Sequence, residues 1–117
     1  MMLMNQTRST VVAQKLRIAN SFFSRLRGLL GTQELPVGEA LLIRPCSDIH
    51  MFGMQYSIDV AFVSTANQVL KTVAALAPWR VAGCKGAAYV LEMPCGTLRA
   101  SQTEIGDLLY VSNDNSN

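Results

Sequence analysis

Ser57-Ile-Asp-Val-Ala-Phe-Val-Ser64, Thr65-Ala-Asn-Gln68 and Val69-Leu-Lys-Thr-Val-Ala-Ala-Leu76 are the stretch on which the fold turns. The first run is rich in β-branched and aromatic residues. A tight turn built on Ala66-Asn67 follows, and the third run returns as a partner strand, so the three together spell a β-hairpin. Beyond it, Pro78-Trp79-Arg80 opens a loop that continues through Gly83-Cys84-Lys85-Gly86. Ala87–Met93 reads as another strand, stopped by Pro94 and Gly96. Thr97–Ile105 spells a brief helix, with Thr97 as its cap and Gly106 closing it, and Asp107–Ser112 is the last strand. Toward the N-terminus, Glu39–Pro45 is a short apolar run that suits a strand, and Gln33–Gly38 is a loop around Pro36. Asn20 or Ser21 can cap a helix whose apolar positions Phe22, Phe23, Leu26, Leu29 and Leu30 follow helical spacing up to Gly31. Thr10–Ala19 ends in the Lys-Leu-Arg-Ile alternation of a half-buried strand.

About six strands and two short helices, with no regular βαβ alternation and no repeat, favour antiparallel neighbours. The expectation is a mainly β (α+β) fold. A small, mostly antiparallel sheet would curl into a barrel or half-barrel, with an amphipathic helix near the N-terminus and a short helix near the C-terminus. The length fits one domain over residues 1–117, with a core about 10–112 and a frayed polar tail over 113–117.

Half of the residues are hydrophobic, 15% are charged and the net charge is +2. The basic residues are scattered rather than gathered in a stripe, which disfavours nucleic acid as a partner. No N-terminal run is long enough for a signal peptide, and none approaches the ~18 apolar residues of a membrane span. The expected address is cytoplasmic, where Cys46, Cys84 and Cys95 stay as thiols. Their spacings match no zinc-finger pattern.

Several separated motifs resemble the uncharacterised domain-of-unknown-function family 192. They are Arg25-Leu26-Arg27-Gly28-Leu29-Leu30-Gly31, and Ile49-His50-Met51-Phe52-Gly53-Met54 with Ile58-Asp59-Val60-Ala61-Phe62 after it. Val69-Leu70, Pro78-Trp79-Arg80, Val90-Leu91-Glu92-Met93-Pro94-Cys95-Gly96 and Ile105-Gly106-Asp107 follow in the same order. The resemblance spans roughly residues 10–110. It implies a compact β-rich domain found in bacteria and archaea, with no established activity, substrate or cofactor. Cys95 departs from the pattern, which tends to have alanine there, so it is a poor candidate for a shared catalytic role.

The densest chemistry lies in residues 46–63, which hold the only histidine, a cysteine and two aspartates. Cys46, Asp48 and His50 could act as nucleophile, orienter and base. On an extended strand, however, Cys46 and His50 lie about 13 Å apart, and only a turn at Ser47-Asp48 would join them. Cys46, His50 and Cys84, with Met51 or Met54 as soft donors, are the candidate set for Zn or Cu. The plain alternative makes Met51, Phe52 and Met54 core filler and the two cysteines small buried hydrophobes. Asp59 and Glu92 sit within strands and need partners if buried. An ion pair with Arg25, Arg27 or Arg80 is one reading. A pocket shared by Asp59, Glu92 and His50, with an arginine to bind an anionic or peptide group, is the other. Trp79 either stacks on a ligand or plugs the end of the barrel, the plug being favoured. Gly106-Asp107 reads as turn chemistry.

Three functions follow in order. The first is a non-catalytic binding or accessory module for a peptide segment or small ligand, built from Cys46, His50, Met54, Asp59, Trp79, Arg80, Cys84 and Glu92. The second is a small cysteine- or histidine-dependent hydrolase or transferase, and the third a soft-metal protein. No cofactor is assigned, and the partner is an unspecified protein or small molecule.

Overall fold

A computed structural model describes residues 1–20 and 34–113. Among them are strands β1 (Met2–Asn5), β2 (Thr10–Ala13), β3 (Lys15–Ala19), β4 (Glu39–Ile43), β5 (Asp48–His50) and β6 (Ile58–Val63). They continue as β7 (Val69–Leu76), β8 (Val81–Gly83), β9 (Tyr89–Pro94) and β10 (Leu109–Ser112), with one helix, α1 (Thr97–Ala100).

The strands form three sheets. A central sheet has the order β3-β4-β9-β6-β7, a second sheet the order β10-β1-β2, and β5 pairs with β8 alone as a ribbon. Every pairing is antiparallel except β3 with β4. The arrangement follows from β6 and β9. All six residues of β6 are buried, as are the first five of β9. Strands buried on both faces read as unbroken apolar runs and need a layer on each side. One face of the central sheet, with Ala40, Leu42, Ala61, Val63, Leu91 and Met93, packs on Leu3, Val12 and Leu109 of the three-stranded sheet. On the other face, Ile58, Val60, Phe62 and Val90 meet Ile49, Met51, Met54 and Ala82 from the ribbon and its flanks.

This layering corrects the expected fold class: among the described residues the strands form no closed barrel, and the central sheet is an open one sandwiched between two smaller ones. A curled sheet would turn one face of β6 to solvent, and β6 has no solvent face. The amphipathic helix expected over Phe22–Leu30 falls on residues 21–33, outside the described ones. The described chain is therefore mainly β with one four-residue helix. That helix is shorter than the expected Thr97–Ile105, because Thr103 N–H already folds back onto the Leu98 carbonyl at 3.0 Å. Thr10–Ala19 divides at Gln14 into two strands that belong to different sheets. Met2–Asn5, placed outside the core by its sequence, is a central strand with Leu3 fully buried.

Candidate functional site

The β5–β8 ribbon brings two of the chemistry-bearing segments together. Its register places Asp48 opposite Gly83, Ile49 opposite Ala82 and His50 opposite Val81. By alternation Ile49 and Ala82 point inward onto the core, whereas His50 and Val81 share the outer face. The chain then turns, and Met51 locks the two arms together: its N–H donates to the Arg80 carbonyl at 2.8 Å, and its carbonyl accepts from Trp79 N–H at 2.8 Å. This leaves Trp79 at φ 69, a left-handed conformation that a bulky residue rarely takes.

The consequence is a row of three rings on the surface. The His50 imidazole stacks on Phe52 with centroids 4.6 Å apart, and Phe52 stacks on Trp79 at 5.9 Å. Trp79 is 67% exposed, with Phe52 and Val81 also open to solvent. Neither Phe52 as core filler nor Trp79 as a plug agrees with this placement. Met51 and Met54, by contrast, are buried in the core. The ribbon is held to the central sheet by Lys71 of β7, whose ammonium donates to the Gly83 carbonyl at 2.8 Å and lies 5.8 Å from the Phe62 ring centroid.

Cys46 and Cys84 are half-buried near the base of the ribbon, both against the Ile49–Phe62 cluster. The Cys46 thiol donates to the Asp48 carbonyl at 3.0 Å, while the imidazole lies on Phe52. Among the described residues no three His, Cys, Asp or Glu side chains gather where a metal ion would sit.

The two carboxylates do not meet each other. β6 and β9 pair with Asp59 opposite Met93 and Val60 opposite Glu92, which puts the acids on opposite faces of the central sheet. Asp59 is 2% exposed and wholly engaged with backbone. Its Oδ2 accepts from Gly96 N–H (3.1 Å) and Leu98 N–H (3.0 Å), capping α1 in place of Thr97. Its Oδ1 accepts from Ala75 N–H at 2.9 Å, where β7 bulges with Ala75 at φ 53. No arginine is needed. Glu92 lies as deep, on the face of Leu41 and Val60. Its candidate partners Arg25 and Arg27 lie outside the described residues, and Arg80 is exposed. A pocket lined jointly by Asp59, Glu92 and His50 is therefore not what the fold builds.

A match to the family model DUF192, described as an uncharacterized ACR, covers residues 3–111. The chain belongs to DUF192. It is 37% identical to a UPF0127 protein of Thermococcus sibiricus over 91% of this chain and 71% of that one. It is 34% identical to a UPF0127 protein of Pyrococcus abyssi, covering 90% and 92% respectively. Among solved structures, a protein of unknown function from Novosphingobium aromaticivorans superposes with a TM-score of 0.77 at 19% identity, over 94% of this chain and 83% of that one. That likeness concerns the fold alone. Among the described residues of this DUF192 chain, no helix is long and apolar enough to cross a membrane.

One polar cluster escaped the sequence reading. Asp107 is buried and accepts from Asn5 Nδ2 (3.0 Å), Arg8 Nε (3.0 Å) and Glu104 N–H (3.0 Å), while Asn5 also donates to Thr103 Oγ1 at 3.1 Å. Burial pushes the Asp107 carboxyl up, but the hydrogen bonds from Arg8, Asn5 and the Glu104 amide outweigh it and hold the group below its usual range. The cluster ties the β1–β2 turn to the segment before β10. The only sequence signal was Gly106-Asp107, which reads as a turn. Cys95 lies apart from the ribbon; partial burial and the charges of Asp59 and Glu34 raise its thiol.

Proposed function

We propose that this DUF192 domain is a non-catalytic binding module, cytoplasmic, whose contact surface for a peptide segment is the outer face of the β5–β8 ribbon. The reading treats residues 1–117 as one domain. The observation that carries it is the exposed His50–Phe52–Trp79 ring row, with Val81 beside it. Isolated exposed apolar residues are ordinary, whereas a contiguous group of large ones marks a place where another surface docks. Aromatic side chains suit that task because they offer large area with few torsions to freeze. Trp79 adds a second argument. Its left-handed backbone is uncomfortable for a bulky residue and presents the indole to solvent, and strain of this kind concentrates at functional sites. Against the catalytic alternative, the Cys46 thiol donates to the Asp48 carbonyl and the His50 ring stacks on Phe52; against the metal alternative, no three His, Cys, Asp or Glu side chains gather among the described residues.

Selection of a random peptide library on the purified protein tests the proposal. Enriched sequences should bind a Phe52→Ala/Trp79→Ala double variant at least about tenfold more weakly, the loss expected when two central anchors are removed. The variant's melting temperature should stay close to wild type. Equal binding by both proteins would refute the assignment of this face.

A further inference from the structure

The outer face of the ribbon carries one charged group in line with the rings. Asp48 and His50 are exposed on either side of buried Ile49, so both side chains leave β5 by that face. Opposite Asp48 the partner strand has Gly83. A Cβ built on Gly83 would stand 3.3 Å from the Asp48 Cβ and 3.5 Å from the Ser47 carbonyl oxygen. Glycine therefore leaves a notch beside the carboxylate, with Val81 two residues along β8 on the same face. No ion pair among the described residues involves Asp48. It is the one acid in residues 44–56 and 77–88, the segments that build the ribbon and its flanks. Three exposed cations, Arg44, Arg80 and Lys85, share those segments. Arg80 pairs with Met51, whose side chain is buried, so alternation takes it off the outer face. Arg44 and Lys85 lie beyond the ends of β5 and β8.

We infer that this notch takes a lysine or arginine side chain of an extended peptide, which carries an aromatic or large apolar residue four positions away. The inference rests on the ring row as the contact surface and names what that surface selects. Its spacing follows from the geometry. Asp48 and His50 are two residues apart on one face, about 6.6 Å along the strand. The rings continue from His50 with centroid steps of 4.6 and 5.9 Å. In an extended peptide, residues four apart fall on one side and span about 13 Å. A cation held at Asp48 thus brings the fourth residue onward to Phe52 and Trp79. The ammonium or guanidinium meets the carboxylate, and its methylene stem lies in the notch along Val81, where a side chain at position 83 would stand in the way. An acidic residue at the same place would face Asp48 as a like charge, so the strip selects by charge as well as by shape.

Peptides selected from a random library on the full chain give the first readout: they should carry Lys or Arg four residues from a large apolar or aromatic residue. A double-mutant cycle on one such peptide gives the second. Replacing its basic residue by Gln should weaken binding to the wild-type protein about three- to fivefold at low salt, the scale of a charge pair open to water. The same replacement should change nothing on Asp48→Asn, which should melt with wild type because the carboxylate is exposed. The peptide half of the cycle uses the wild-type chain and depends on no variant that folds. Enrichment of acidic or uncharged peptides, or an equal loss on both proteins, would overturn the basic selectivity. If those peptides still lose affinity for Phe52→Ala/Trp79→Ala, the ring row stands without it. Peptides that bind that double variant as tightly as wild type would remove the ring row and this inference together, as would a library that yields no binder.

Discussion

Asp59 and the His50–Phe52–Trp79 row sit on opposite sides of the central sheet and treat their side chains in opposite ways. Asp59 is a charged group buried almost completely, and every oxygen it offers is used by a backbone N–H. Phe52 and Trp79 are large apolar groups left on the surface, where Phe52 stacks on both the His50 imidazole and the Trp79 ring. The first arrangement spends polarity to fix where α1 and the β7 bulge lie. The second leaves apolar area uncovered that burial would otherwise stabilise by roughly 25 cal/mol per Å². On the proposed reading, a buried acid with all of its partners at home belongs to the scaffold, and the exposed rings held in a strained turn form the contact surface.

The sharpest way to break this contrast is Asp59→Ala. Three backbone N–H groups lose their acceptor, one of them buried, and each unmet buried donor costs about 1–3 kcal/mol. A destabilisation of about 3 kcal/mol or more is expected in denaturant unfolding, with the ring row intact in whatever remains folded. A loss below 1 kcal/mol would remove Asp59 from the scaffold. Asp59→Asn, which keeps one acceptor oxygen, should fall between.

The Asn5–Arg8–Asp107 cluster should yield a smaller loss. Asn5→Ala removes a donor to both Asp107 and Thr103 and should cost about 2 kcal/mol. It also gives the fold a pH signature. The Asp107 carboxyl is held below its unfolded value, so the stability it contributes is complete above the ordinary carboxylate range. That stability is lost as pH falls through the folded value, below roughly pH 4. Unfolding midpoints measured from pH 6 downward should fall less steeply in Asp107→Asn than in wild type. Parallel curves would mean that other carboxylates carry the acid sensitivity.

How much of this was legible in the sequence depends on whether the deciding interaction is local. The Ser57–Leu76 hairpin was, because β-branched runs and the Ala66-Asn67 turn act within a few residues. The layered architecture was not. Ile58-Asp-Val-Ala-Phe-Val63 looks the same to its neighbours in a curled sheet and in one covered on both faces, and only the docking of distant β1 and β10 separates the two. Asp59 and Glu92 both stood out as acids inside strands. That they face opposite ways depends on a one-residue offset between β6 and β9, which no single-strand pattern encodes. Met51, Phe52 and Met54 share similar hydropathy, yet two point inward and one outward. The hydrogen bonds that join Met51 to Trp79 and Arg80 decide which.

The smallest expected effect on stability is also the most telling. Trp79→Gly removes the outermost ring of the row together with the residue that strains the turn. Glycine takes φ near +70° freely, and a left-handed conformation costs other residues about 1–2 kcal/mol. Against this relief stand the lost stacking on Phe52, worth about 0.5–1.5 kcal/mol when buried and less at 67% exposure, and the extra freedom that glycine gives the unfolded chain. The opposing terms nearly cancel, so the unfolding free energy should stay within about 1 kcal/mol of wild type. Selected peptides should nevertheless lose most of their affinity. A drop of several kcal/mol would mean that the indole is fastened to the fold after all, and the distinction between a committed acid and an uncommitted ring row would fail at Trp79.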